Sequence, residues 1–350
     1  MEKWIEIANR IYENMEDELS RRVFLDRLSY SVSQDKIHIE KLLDDTVRYR
    51  KEWSLFINYV NGLNMDEFVL FGNGIWGATV LSELKDIKIK CIIDNAPSAT
   101  DRNGISVIGA SVFLNSYRGE KIIISSHKNR QSMIEQCRNA GVPDINILDA
   151  ASVIYGLTEG KIYFDEDILL KIGNGVFIDG GSFDGCDSKR FIEKYHGKTI
   201  CFEPDKSNIG RIEDKLKSYE GAYRVIPKAL WVDQEELSFS SSGSQGSKID
   251  VSGTENTVSA TSIDIEVGSE PVAMIKMDIE GAELKALYGA VNTIKRDHPI
   301  LAISVYHKPE DILSIPEFIM NTYEEYRFYL RHYSFSWYDT VLYAVPKEMI

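Results

Sequence analysis

Paired cysteines are missing from this sequence. Its four cysteines, Cys91, Cys137, Cys186 and Cys201, lie far apart and form no C-x-x-C pair, which argues against a thiol or metal role for them. Cys91 and Cys201 fall in expected strands, where buried free thiols are common, and Cys186 follows a glycine loop. Long apolar runs are missing too: none approaches the ~20 residues that a membrane-spanning helix needs. The N-terminus, MEKWIEIANRIYENMEDEL, is too acidic for a signal peptide. The expected location is therefore cytoplasmic, with no membrane partner. The third shortage is positive charge. Forty Lys and Arg stand against 54 Asp and Glu, a net charge of -14, and no basic cluster is visible. A nucleic-acid backbone needs a clustered basic face, so no nucleic acid is expected and a small or neutral substrate fits better. Repeats of solenoid length are absent as well.

What is present is ordinary globular composition, 43% hydrophobic and 27% charged over 350 residues, enough for two α/β domains or one with an elaborate N-terminus. Residues 1–62 read as a helical segment. Trp4, Ile7, Ile11, Met15 and Leu19 recur every three or four positions, and Ile39, Leu42, Leu43, Val47 and Tyr49 mark a second stretch from Lys36. The expected role is a cap packed on a domain, with a homodimer contact as the alternative. Over 63–152 short apolar strands alternate with helices, the strand candidates being FVLFGNG, IKIKCIIDN, ISVIG, KIIISSH and INILDA. Alternation of this kind predicts a small, helix-covered parallel sheet, a Rossmann-like α/β domain. After a connector, residues 160–350 carry a second series: VFIDGG, KTICFEPD, YRVIPKAL, AMIKMDIEG and PILAISVYH, closed by an antiparallel pair, RFYLRHYS and TVLYAVP. Between its third and fourth strands, the Ser/Gly-rich stretch Ser240 to Ser247 predicts a hairpin tip or mobile loop.

Two strands run into glycine loops. In the second series, VFID delivers Asp179 to the carboxyl end of its strand, where open α/β sheets bind ligands. Gly180, Gly181 and Gly185 let the backbone turn tightly and approach a ligand. The next strand ends in Phe202-Glu203-Pro204-Asp205, and Glu203 stands eighteen residues after Gly185, about where a carboxylate accepts from a ribose diol. Together these features point to an adenosine-type ligand. In that order, VFIDGGSFDG, CFEPD, TSID, IKMDIEGAELKAL and PILAISVYHKPED resemble the FkbM family of S-adenosylmethionine-dependent methyltransferases over about residues 160–346. The resemblance implies a class I methyltransferase sheet, mostly parallel with an antiparallel last strand, and S-adenosylmethionine as cofactor. It implies that Asp179, Gly180, Gly181, Ser182, Phe183, Asp184 and Gly185 hold the methionine part and Glu203 the ribose. Ala229 and Leu230 then border the adenine, and Pro204 and Asp278 also face the cofactor. The fifth strand departs from the family: where many members carry a carboxylate, this chain reads Ser304-Val305-Tyr306-His307.

The fourth strand ends in Lys276-Met277-Asp278-Ile279-Glu280-Gly281, with Glu283 just beyond. Asp278 and Glu280, two apart, share a face while the segment stays extended, and the parallel sheet brings them to the same rim as His307. The chemistry expected is O-methylation of a hydroxyl on a sugar, glycan or other small molecule. His307 has the intrinsic pKa of a base that takes the hydroxyl proton. Asp278 and Glu280 orient it, bind the acceptor, or hold a divalent metal, the last being the lesser alternative. Glu280 and Glu283 also suit a helix start, where carboxylates stabilise free amides.

The earlier loop, Gly72-Asn73-Gly74-Ile75-Trp76-Gly77, fits G-x-G-x-x-G between a strand and a helix, and Asp94 ends the next strand. Gly72, Gly74, Gly77 and Asp94 thus mark a possible second nucleotide site, against an unliganded scaffold or dimer element. Two rival functions follow from it: an NAD-dependent oxidoreductase, or a non-catalytic nucleotide-binding or assembly protein.

Overall fold

The computed structural model describes residues 2–63, 65, 67–240, 248–249 and 257–350. The chain divides into two compact units, one of Met1–Asp45 with Ile162–Ile350, the other of Thr46–Lys161. The helical segment expected over 1–62 is thereby divided between them. Its first part forms α1 (Glu2–Asn14), α2 (Glu18–Ser33) and α3 (Lys36–Asp45). Ile7, Ile11 and Met15 are buried as the spacing predicts, whereas Trp4 is 57% exposed. Asp17 caps α2 by accepting from the Ser20 amide at 2.8 Å.

The middle unit runs α4 (Lys51–Gly62), β1 (Phe68–Phe71), α5 (Ile75–Glu83), β2 (Ile89–Asp94), β3 (Asp101–Arg102), β4 (Ile105–Gly109), α6 (Ala110–Leu114), β5 (Lys121–Ile124), α7 (Arg130–Asn139), β6 (Ile147–Asp149) and α8 (Ala150–Leu157). Its sheet has the order β3-β4-β2-β1-β5-β6, parallel except for the β3–β4 pair. All four residues of β1 are buried, as a central strand covered on both faces requires. The unit reaches past the expected boundary at 152, because α8 buries Ala150, Ala151, Ile154 and Leu157.

The first unit resumes with β7 (Val176–Gly180), α9 (Cys186–Tyr195), β8 (Thr199–Phe202), α10 (Lys206–Leu216), β9 (Tyr223–Ile226), β10 (Ala229–Leu230), β11 (Glu235–Ser240), β12 (Lys248–Ile249), β13 (Thr257–Thr261), α11 (Ile263–Val267), β14 (Val272–Met277), α12 (Glu283–Tyr288), α13 (Val291–Asp297), β15 (Ile300–Ser304), α14 (Asp311–Thr322), β16 (Tyr326–His332) and β17 (Thr340–Pro346). Seven strands pair in the order β16-β17-β15-β14-β7-β8-β9. β17 is antiparallel to both neighbours, β15 and β16, and the others run parallel. A smaller sheet has the order β10-β13-β11-β12. Most of the Ser/Gly-rich tip, 241–247, lies outside the described residues.

Two expected elements are broken, each for a local reason. YRVIPKAL, read as one strand, splits at Pro227, which has no N–H for the ladder. β9 therefore stays in the large sheet, while Ala229 and Leu230 pair with Ala260 and Thr261 in the small one. AELKALYGAVNTIKRD, read as one helix, becomes α12 and α13 around Gly289. A Cβ there would stand 2.2 Å from the Trp231 carbonyl oxygen, so only glycine allows that approach.

The edge strand β16 is covered by the N-terminal helices. The Glu16 amide donates to the Phe328 carbonyl at 2.8 Å, Asn14 Nδ2 donates to the Tyr326 carbonyl, and the Leu330 amide donates to Ser20 Oγ at 3.0 Å. Arg331 pairs with Asp17 at 2.5 Å. Backbone groups that would otherwise template another strand are thus occupied.

Candidate active site

Strands β7, β8, β14 and β15 end on one rim of the large sheet, and the expected residues lie there. Gly181, Phe183 and Gly185 all adopt positive φ, +72°, +49° and +77°. At Gly181 the demand is absolute, since a Cβ would meet the Asp278 carbonyl oxygen at 2.1 Å. This glycine lets the loop cross the end of β14. Glu203, 5% exposed, accepts from the Phe183 amide and the Asp205 amide, both at 2.9 Å. It holds the loop against β8, and burial raises its pKa. Asp184 points elsewhere: it pairs with Lys215 at 2.5 Å. Pro204 is half-buried, and Leu230 packs on Gly180, within 2.8 Å of where a Cβ would stand.

Asp179 departs from the expectation of a ligand-facing carboxylate. It is fully buried, with one oxygen accepting from Ser188 Oγ at 2.7 Å and the other from Lys276 Nζ at 3.0 Å. Lys276 also donates to the Gly181 carbonyl at 2.9 Å and lies 3.6 Å from Asp187. Burial opposes the lysine charge, but Asp179, Asp187 and Asp278 outweigh it and raise its pKa. Burial also pushes Asp187 up to about 6 despite the lysine beside it. The sequence pattern assigned Lys276 no role, although a lysine inside the otherwise apolar strand VAMIKM is itself a signal, because lysine is almost never buried unless paired.

The second cluster joins the ends of β14 and β15. His307 Nδ1 lies 2.9 Å from Glu283 Oε1, and Nε2 lies 3.4 Å from Asp278 Oδ1 and 3.7 Å from Glu280 Oε2. Glu283 is fully buried and accepts from the Ile279 amide, so its place at the helix start is only half of its role. The imidazole contacts are ion pairs off the hydrogen-bond axis: neither ring nitrogen nor Glu283 Oε2 has a directed partner. Burial works against a charged imidazole, yet Glu283, then Asp278 and Glu280, carry His307 up to about 9. Asp278 accepts from Tyr163 at 2.8 Å and Tyr306 at 3.1 Å. Burial works against its charge, but His307 and Lys276 keep its pKa below the usual carboxylate value. Tyr163 comes from 115 residues upstream, a contact that no local pattern signals. Glu280 adopts φ +56° and Gly281 φ +93°, the turn that swings both glutamates toward the imidazole. Asp278, Glu283 and His307 offer ligand atoms within 4.8 Å of one another, a set with the chemistry to hold a divalent cation.

In the middle unit, the G-x-G-x-x-G loop has the expected form. A Cβ at Gly77 would meet the Gly72 carbonyl at 2.2 Å, and Gly72 itself has φ +117° against Ser125, whereas Gly74 faces open space. Asp94 accepts from the Asn73 amide at 2.7 Å and the Ala96 amide at 2.9 Å. Both glycine loops are therefore held by a carboxylate from the neighbouring strand. No histidine–carboxylate cluster like that around His307 accompanies this one among the described residues.

A seven-stranded sheet in this order, with one reversed strand beside the edge and a glycine loop after the interior strand β7, defines a class I methyltransferase fold. Residues 179–336 match the family model described as Methyltransferase FkbM domain. Among solved structures, the chain is similar to methyltransferase FkbM from Methylobacillus flagellatus KT, with 18% identity over 83% of this chain and 93% of that one and a TM-score of 0.48. It is also similar to Aeropyrum pernix fibrillarin in complex with S-adenosyl-L-methionine (10% identity, 54% and 73% covered, TM-score 0.35). A third similar structure is precorrin-6y C5,15-methyltransferase from Geobacter metallireducens GS-15 (10%, 55% and 86%, TM-score 0.32). No curated protein matches the chain. Among the described residues, no helix is long and apolar enough to cross a membrane.

Proposed function

We propose that the protein is an S-adenosylmethionine-dependent O-methyltransferase acting on a hydroxyl of a small molecule or glycan, a sugar hydroxyl first. The observation that carries this reading is the seat of His307, with Glu283 on Nδ1 and the Asp278 and Glu280 carboxylates facing Nε2. The acidic rim suits the donor, whose sulfonium and ammonium are cationic. Bound there, the donor supplies an electrophilic methyl. The loop from Gly180 to Gly185 carries its methionine part, Glu203 its ribose, and Ala229 and Leu230 border its adenine. Asp179 acts indirectly, through Lys276 and the loop.

The protein's own contribution is alignment and proton transfer. Holding the acceptor oxygen in line with the methyl supplies up to about 7–11 kcal/mol of the barrier, and a placed base adds roughly 10²–10⁴-fold. His307 takes the hydroxyl proton on Nε2, and Glu283 stabilises the imidazolium that forms. With a pKa near 9, the ring is protonated in the free site at neutral pH. Positive charge from the donor offsets Asp278 and Glu280 and lowers that value.

Calorimetry and mass spectrometry test this reading. The wild type binds S-adenosylmethionine, and Glu203→Ala weakens that binding tenfold or more. His307→Ala binds the donor normally but adds no methyl to any acceptor that the wild type modifies. Retained turnover removes His307 from the mechanism, and binding of NAD in place of the donor overturns the reading in favour of an oxidoreductase. The buried, unpartnered Oε2 of Glu283 favours a second reading, a divalent cation on Asp278, Glu283 and His307 that acidifies the hydroxyl. Loss of turnover in a chelator, restored by Mn²⁺, would select it.

A further inference from the structure

Exposed tryptophans are uncommon, and one stands at the rim of this site. Trp337, in the link between β16 and β17, is 47% exposed. The link that carries it is held firmly. Arg27, buried in α2, donates to the Trp337 carbonyl at 2.6 Å, Ser334 Oγ donates to the Tyr338 carbonyl at 2.7 Å, and the Tyr333 amide donates to the Asp339 carbonyl at 3.0 Å. The indole meets Tyr306 edge-on, with ring centroids 6.2 Å apart and planes at 72°. Tyr306 in turn donates to Asp278. A half-open indole on a hydrogen-bonded link thus lies one ring away from the carboxylates around His307.

We propose that Trp337 is the platform on which the acceptor stacks, and that the acceptor is a neutral pyranoside. This inference rests on the methyl-transfer reading and narrows it to a substrate class. A pyranose ring presents an apolar C–H face and a perimeter of hydroxyls. An indole face matches the first, and carboxylates with tyrosine hydroxyls match the second. The nearby cations argue against an anionic acceptor, since Lys276 is committed to Asp179 and Gly181, Lys308 to the Gly281 carbonyl and Arg27 to the Trp337 carbonyl. Asp278 and Glu280, in contrast, can accept from sugar hydroxyls beside the one that is methylated.

Saturation-transfer NMR on the full chain with S-adenosylhomocysteine present, using a set of neutral methyl pyranosides as probes, tests the platform without turnover. Saturation of ring C–H protons of at least one probe is expected in the wild type. Trp337→Ala should weaken that binding tenfold or more, Trp337→Phe should retain most of it, and neither should change S-adenosylhomocysteine affinity by more than about twofold. No saturation of any probe, or binding unchanged in Trp337→Ala, overturns the proposal. Calorimetry with S-adenosylhomocysteine alone reads the donor site, so failure of the methyl-transfer reading is seen separately.

Discussion

His307 and Lys276 are two buried cations with opposite lessons. His307 was legible because a histidine at a strand's carboxyl end, on the same rim as two carboxylates, has an evident chemistry. Its strength is tertiary: Glu283, Asp278 and Glu280 raise its pKa to about 9. The folded value exceeds the ordinary 6.5, so the stabilisation from this charge is complete below pH 6.5 and disappears as pH rises through 9. The full effect is on the order of 3 kcal/mol. Urea denaturation of the wild type and His307→Asn should give stabilities that differ by that order at pH 6 and converge by pH 10. For catalysis the sign reverses, because the base must be unprotonated: kcat/KM of the wild type should climb with pH toward about 9, and a flat profile over that range would remove His307 from the role of base. No local pattern gives Lys276 a partner, because its partners arrive from β7 and α9. Lys276→Met leaves Asp179 and Asp187 without their cation. Breaking such a buried pair costs about 3–5 kcal/mol, and calorimetry should show weakened donor binding alongside lower stability. An unchanged denaturation midpoint would remove Lys276 from its place as the pin of the glycine loop.

Among the elements, strands and helices of the two alternating series were legible from apolar runs and their punctuation, and the exceptions are instructive. Pro227 and Gly289 each divide an element that periodicity joins. Proline acts through its missing donor, which is visible in sequence; Gly289 acts through a carbonyl 2.2 Å from its absent Cβ, which is not. Gly289→Ala should therefore destabilise the chain by more than the roughly 1 kcal/mol of an ordinary backbone effect, measurable by chemical denaturation. The N-terminal helices show a further limit. Their periodicity announces a buried stripe without saying what covers it, and the answer is the edge of β16, met by Asn14, Glu16, Asp17 and Ser20. Removing residues 1–33 uncovers that edge, and light scattering should find aggregation. A monodisperse, equally stable truncation would show that the helices protect nothing.

For the molecule as a whole, the two compact units have separate cores and separate glycine loops. Donor binding assigned to one of them has a thermodynamic signature. At a hundred times its dissociation constant, S-adenosylhomocysteine should stabilise the unit of Met1–Asp45 and Ile162–Ile350 by about 2.7 kcal/mol. Calorimetric scans should show that transition move while one from Thr46–Lys161 stays. A shift confined to the middle unit would place the ligand on the wrong glycine loop.

By itself the sequence determined the α/β alternation, the antiparallel closing pair, the glycine loops and the acidic strand ends, because periodicity and turn chemistry are local properties of a chain. The tertiary structure alone decided that Asp179 faces a lysine inside the protein, that Glu283 turns to His307, that Tyr163 reaches Asp278 and that α1 to α3 belong with β16. Each of these depends on groups far apart in the chain meeting, at the strand ends of the site or along the edge of β16, where burial, neighbouring charge and unpaired backbone groups, and no sequence spacing, set the partner.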